Sequence, residues 1–125
     1  MIVGIGVDII EVDRIGAIIA RHGDRFLRRV FSSDEMQYCW GCAHPEQRFA
    51  ARFAAKEAGM KAIGTGWRHG VRWRDFEVVN LPSGRPTLRL HGRAAEFARK
   101  LGVKSIALSL THTAELGMAH VVLED

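Results

Sequence analysis

The sequence predicts an α+β fold: a mainly antiparallel sheet packed against helices, one of them long. Three observations carry the prediction. The first residues alternate as a strand, the middle holds a long helical run, and the last part reads as two strand pairs around a short helix. The 125 residues are 47% hydrophobic, which suits a single globular domain over 1–125 with apolar material left for a subunit interface.

Residues 2–10 place Val3, Ile5, Val7 and Ile9 on one face and Ile2, Gly4, Gly6, Asp8 and Ile10 on the other. The two glycines allow another element to pack closely on the face that carries Asp8. An aspartate in so apolar a run needs a partner or a metal, because an unpaired buried carboxylate is costly; a cap on the next turn is the alternative. No basic leader precedes this strand and no apolar run approaches membrane-spanning length, so a cytoplasmic protein is expected.

Asp13 is placed to cap a helix through Ile15, Ile18 and Ile19 that closes near Gly23. A second helical piece over 24–30 follows. Together they display Arg14, Arg21, Arg25, Arg28 and Arg29, either ordinary solvated surface or a docking face for an acidic helical protein. Ser32 or Ser33 then caps a helix running toward Cys39. The Cys39-Trp40-Gly41-Cys42 spacing is redox-like, yet no strand precedes it and no second pair completes a zinc site.

The helix over 45–61 organises the rest. Pro45 suits its first turn, and Phe49, Phe53 and Met60 form a stripe expected to face the core. Arg48, Arg52 and Lys56 are spaced by four, a cationic ridge with Glu57 near the other edge and Gly64-Thr65-Gly66 beyond. A ridge of this kind beside a carboxylate suits a phosphorylated, metal-chelated ligand; plain surface charge is the competing explanation.

Past Gly66 the period changes. Residues 71–73 and 76–79 read as strand, 80–86 as a tight connection, and 87–91 as a returning strand. A short helix over 92–101 leads to strands over 104–112 and 118–123. Trp73 and Phe76 suit the core or an interface, and His69, His91 and His120 are structural or surface residues. A bare antiparallel sheet needs its other face or edges covered, which points to oligomerisation. The formal charge is +4, with fourteen arginines among the eighteen basic residues. That favours anionic partners and bidentate contacts without naming the partner. No nucleic-acid partner is expected, since neither an RRM-type aromatic pair nor a GxxG clamp is present.

Four stretches together resemble the holo-acyl-carrier-protein synthases, the small trimeric bacterial type of 4′-phosphopantetheinyl transferase. They are Gly4-Ile5-Gly6-Val7-Asp8 with Arg14; Arg52-Phe53-Ala54-Ala55-Lys56-Glu57-Ala58 through Lys61-Ala62 and Gly64-Thr65-Gly66; Asn80 with Gly84 and Pro86; and Leu108-Ser109-Leu110-Thr111-His112-Thr113. The resemblance spans almost the whole chain. It implies transfer of the phosphopantetheine arm of coenzyme A to a serine of apo-acyl carrier protein, releasing adenosine 3′,5′-bisphosphate and supporting fatty acid biosynthesis. Asp8 and Glu57 match the family's Mg²⁺-binding acids, Lys56 a lysine near the phosphates, and His112 a histidine ending the penultimate strand. Arg14 matches the first arginine of the helix on which carrier protein docks, with Arg21 and Arg25 as continuations. The implied assembly is a homotrimer with sites between protomers.

The side chains' own chemistry agrees with a phosphoryl transfer. Two carboxylates plus phosphate oxygens and water suit Mg²⁺, where zinc would favour His or Cys. With the resemblance, this implies a catalytic set of Asp8, Glu57, Lys56 and His112. The proton acceptor stays open, with a water near Glu57 relaying the serine proton or Asp8 helping to hold it, and His112 contacting phosphate or tuning the base. Arg48 and Arg52 extend the cationic line toward the 3′-phosphate, and Lys61 joins the coenzyme A-binding residues. Gly64 and Gly66, with Ser83, Gly84, Arg85 and Pro86, let backbone approach the ligand. A non-catalytic relative that kept the fold, or an RNA-binding basic domain, is the alternative. Two departures from the family pattern stand out: Leu116-Gly117 in place of Tyr-Ala, and Gly59 in place of a larger residue. The first predicts altered packing at the last hairpin, the second a close approach by a neighbour.

Overall fold

A computed structural model describes every residue from Met1 to Asp125. In order the chain forms β1 (Ile2–Glu11), α1 (Val12–His22), α2 (Asp24–Val30), α3 (Ser33–Trp40) and α4 (Pro45–Ile63). A single 3-10 turn, Trp73–Asp75, precedes β2 (Phe76–Asn80), β3 (Pro86–Leu90), α5 (Gly92–Leu101), β4 (Ser105–His112) and β5 (Leu116–Glu124). All strand pairs are antiparallel, as expected, but they make two sheets. One has the order β1-β5-β4 and the other is the β2-β3 hairpin. β3 lies beside β4 without a ladder, and Thr87 Oγ1 donates to the Ile106 carbonyl across the gap at a long 3.5 Å.

α4 lies across the inner face of the larger sheet, and glycine makes that approach possible. A Cβ on Gly4 or Gly6 would sit inside the van der Waals envelope of the Ala62 or Ala58 carbonyl oxygen. The helix answers with small residues: Ala50, Ala51, Ala54, Ala55, Ala58 and Ala62 are all buried. Phe49 and Met60 are buried as expected, yet burial runs well beyond the predicted stripe. The sheet, the β2-β3 hairpin and helices α1 and α3 all pack on α4, and alanine lets it sit close to each neighbour without a broad apolar stripe.

The second glycine prediction also holds. A Cβ on Gly59 would lie 2.7 Å from Phe76 Cδ1, so this position admits the hairpin's first aromatic residue. At the last hairpin, a Cβ on Gly117 would lie 2.8 Å from the Ala51 amide nitrogen, which draws β5 onto α4.

Local chemistry sets several boundaries. Ser32 and Glu35 form a reciprocal capping box at α3, with Ser32 N donating to Glu35 Oε1 (2.8 Å) and Glu35 N to Ser32 Oγ (3.2 Å). Asp13 does not cap α1; Glu11 occupies that position without a side-chain bond, and Asp13 falls inside the first turn. Residues 71–73 form no strand either. Asp75, nearly fully buried, accepts the Arg72 amide at 3.1 Å and bends the chain into the 3-10 turn.

One hydrophobic cluster runs from Ile10 to Leu123. The outer face of the larger sheet stays uncovered. Ile5, Val7 and Ile9 are 59%, 47% and 58% exposed, and Met118 stands beside Ile9 in register. No helix is long and apolar enough to cross a membrane.

Candidate active site

Two clusters gather the residues singled out from the sequence, and they lie on opposite sides of α4. The first is at the β1 edge. Lys61 Nζ donates to Asp8 Oδ1 at 3.1 Å and to the Val7 carbonyl at 2.9 Å. Asp8 is thereby partnered, but its side chain remains 20% exposed and that of Lys61 55%. Glu57 stands one turn before Lys61, on the same helix face. Its Oε1 accepts the Trp73 indole N–H at 3.4 Å.

The second cluster lines a cavity of about 220 Å³ at the β4 edge, where Arg48, Arg52, Gly84, Pro86 and His112 meet. Tyr38 and Asn80 complete its polar wall. The Arg52 guanidinium lies 4.1 Å from the Tyr38 ring centroid. Arg52 is only 4% exposed, and its Nε is buried without a hydrogen-bond partner. Such an orphan is costly unless a ligand meets it. His112 Nδ1 lies 3.1 Å from Gln47 Oε1, a contact that holds the ring in place whichever tautomer it adopts. Burial, then the nearby charges of Arg48 and His44, hold the His112 pKa below its ordinary value.

Helix geometry explains the separation. Arg48 and Glu57 are nine residues apart, as are Arg52 and Lys61. At 3.6 residues per turn each pair points in opposite directions, about 180° apart. The strand order agrees, because Asp8 is on β1 and His112 on β4, with β5 between them. The cationic ridge therefore does not run toward Glu57 within one protomer.

Lys56 departs from its expected role. Its side chain is fully buried, and Nζ spends its donors on Glu35 Oε1 (2.9 Å), the Phe76 carbonyl (2.7 Å) and the Trp73 carbonyl (3.3 Å). Nothing remains for a phosphate. Burial lowers the Lys56 pKa, with Glu35 opposing the shift. The sequence contains the signal, since Glu35 sits in a capping box, but the buried pair it makes with a residue on another helix is invisible there.

The remaining predicted residues divide. Ser83 and Arg85 are exposed and face each other across the turn, the Arg85 amide to Ser83 Oγ at 3.4 Å, without lining the cavity. Gly64 closes α4 in a left-handed conformation, and Gly66 lies just past it, also with positive φ. Neither touches the cavity. Arg14, Arg21 and Arg25 are all exposed along α1 and α2. Cys39 is buried, which pushes its thiol up to about 12 and leaves it unreactive; both cysteines are free. Tyr38 and Gln47 were missed because their importance comes from what packs beside them.

Residues 4–117 match the model of the 4′-phosphopantetheinyl transferase superfamily. The chain belongs to this family. It is 66% identical over its full length, and the relative's full length, to a holo-acyl-carrier-protein synthase of Solibacter usitatus. Among solved structures it resembles the Neisseria meningitidis holo-acyl-carrier-protein synthase, with a TM-score of 0.88 and 32% identity over all of both chains. A Bacillus anthracis synthase solved in complex with CoA (3′,5′-ADP) gives a TM-score of 0.81 and 37% identity, covering 100% of this chain and 98% of that one. The chain is thus an enzyme, a holo-acyl-carrier-protein synthase by family.

Proposed function

We propose that this chain carries out the family's transfer at sites shared between protomers of a homotrimer, the β1-edge cluster of one facing the β4-edge cavity of its neighbour. The opposition of the two clusters across α4 carries this reading. Neither half is a complete phosphoryl-transfer site, and a cyclic assembly brings the unlike halves together at every interface. The uncovered face with Ile5, Val7, Ile9 and Met118 supplies apolar surface for such an assembly.

The reaction moves the phosphopantetheine arm of coenzyme A to a serine of apo-acyl carrier protein. A bond forms between the serine Oγ and the phosphorus of the arm. The bond to the bridging oxygen breaks, and adenosine 3′,5′-bisphosphate leaves with its electron pair. The neighbour's Arg48, Arg52 and His112, which line the cavity, bind the nucleotide end. The B. anthracis relative, solved with CoA (3′,5′-ADP), supports a nucleotide in this fold. Lys61, mostly exposed beside Asp8, places a positive charge at the phosphate bridge. Gly84 and Pro86 offer backbone at the cavity wall.

The β1-edge donors are hard carboxylate oxygens of the kind magnesium prefers. Asp8 Oδ2 and Glu57 Oε2 accept no hydrogen bond from the protein. Asp8 and Glu57 would hold the ion, which would neutralise charge on the phosphoryl oxygens. Glu57 also takes the serine proton through a water. The exposed arginines of α1 and α2, led by Arg14, receive the acidic carrier protein and deliver its serine to this edge.

Mixing two inactive variants tests the shared site. Asp8→Ala and Arg52→Ala each destroy a different half. Co-refolded in equal amounts, they form mixed trimers with one intact site each, and should recover up to about a quarter of the wild-type rate. A mixture as inactive as its components would place each site within one protomer and overturn the reading.

A further inference from the structure

The cavity wall holds a contact that the reaction as described does not use. α3 and α4 meet through two registered pairs: Glu35 with Lys56 at 2.9 Å, and Tyr38 under Arg52 at 4.1 Å. Tyr38 is three residues beyond Glu35, and Arg52 four residues before Lys56, so both pairs repeat along one seam between antiparallel helices. The buried ion pair anchors the seam. Glu35 is further fixed by the Ser32 amide (2.8 Å) and by the Val78 amide (3.0 Å). The α3 backbone that carries Tyr38 is therefore anchored through Glu35 one turn away.

We propose that Tyr38 is a positioning residue for coenzyme A, holding the Arg52 guanidinium plane so that its in-plane donors meet a nucleotide phosphate. This rests on the reading that the β4-edge cavity takes the nucleotide end. A guanidinium stacked on a ring keeps all five N–H groups, which lie in its plane, free for hydrogen bonds. An ion pair would have consumed some of them, and no carboxylate lies within salt-bridge distance of Arg52. The result is a nearly fully buried cation lying over the Tyr38 ring and lining a cavity beside Arg48 and His112. Such a group suits a compact dianion, and of the two ends of coenzyme A only the nucleotide end carries a terminal phosphate. The specificity expected of Tyr38 is thus for coenzyme A over 3′-dephospho-coenzyme A.

The test compares Tyr38→Phe, Tyr38→Leu and Arg52→Gln, with KM measured for coenzyme A, for 3′-dephospho-coenzyme A and for apo-acyl carrier protein. Tyr38 is 38% exposed, and circular dichroism and light scattering verify that each variant stays folded and assembled. Tyr38→Leu should raise KM for coenzyme A about tenfold and erase most of the preference over the dephospho form. Its kcat and its KM for carrier protein should stay near wild type, and Tyr38→Phe should behave as wild type throughout. Wild-type discrimination in Tyr38→Leu, with Arg52→Gln impaired, overturns the role of Tyr38 alone. Equal impairment of Tyr38→Phe and Tyr38→Leu also overturns it, because the hydroxyl and not the ring face would then matter. Wild-type KM for coenzyme A in Arg52→Gln overturns the cavity reading together with this one.

Discussion

Lys56 and Lys61 stand five residues apart on α4, yet their surroundings give them opposite work. Lys56 is sealed against Glu35, while Lys61 is mostly exposed beside Asp8. Lys56→Met strands the Glu35 charge in the core and should cost about 3–5 kcal/mol in urea unfolding. Turnover per folded molecule should stay near wild type, because the ammonium never reaches ligand. Lys61→Met reverses the pattern, with stability within about 1 kcal/mol of wild type and kcat/KM lowered roughly 100-fold. His112 adds a pH dependence. Burial, Arg48 and His44 hold it below its ordinary 6.5 in the free cavity, and a bound phosphate would raise it. Between those two values the complex holds one proton more than the free protein, so affinity for adenosine 3′,5′-bisphosphate should fall as pH rises through that window. Titration calorimetry in buffers of different ionisation enthalpy should show proton uptake on binding, and His112→Gln should abolish it.

Elements are positioned here by what they lack. Gly4 and Gly6 remove two side chains from β1, and α4 presents alanines in return, so the helix backbone rests almost directly on the strand. That contact sets the reach between Asp8 and the Glu57–Lys61 face. Gly6→Ala should push α4 off the strand, cost about 3 kcal/mol by overpacking, and abolish transfer without recovery in excess Mg²⁺. Urea unfolding and a magnesium titration of activity check both parts. Helix and strand periods were legible because period-2 and period-3.6 patterns are local. The stretch 71–73 was misread because the Asp75 carboxylate captures the Arg72 amide, a side-chain bond that outcompetes a weak strand pattern. The cap at Asp13 failed for a related reason: α1 starts straight out of β1, where Val12 N donates to the Glu115 carbonyl at 2.8 Å and leaves no turn to cap.

For the molecule as a whole, the outer face of the β1-β5-β4 sheet is decisive. Ile9 is 58% exposed beside Met118 on the uncovered face, so Ile9→Lys should leave the protomer folded while preventing assembly. Light scattering should report monomers, circular dichroism an unchanged fold, and the transfer assay a near-complete loss. An active monomer would contradict shared sites.

Taken alone, the sequence determined the fold class and the family, because these depend on residue type, order and spacing along one chain. Only the tertiary structure decided which charges are sealed in the core and which stay open. It sealed Lys56 against a residue twenty-one positions away, set Tyr38 beneath Arg52, and sent the Asp8–Lys61 pair and the Arg52–His112 cavity to opposite flanks of one helix. The physical reason is that burial and desolvation are properties of neighbours in space, and a periodic pattern along the chain carries no record of them.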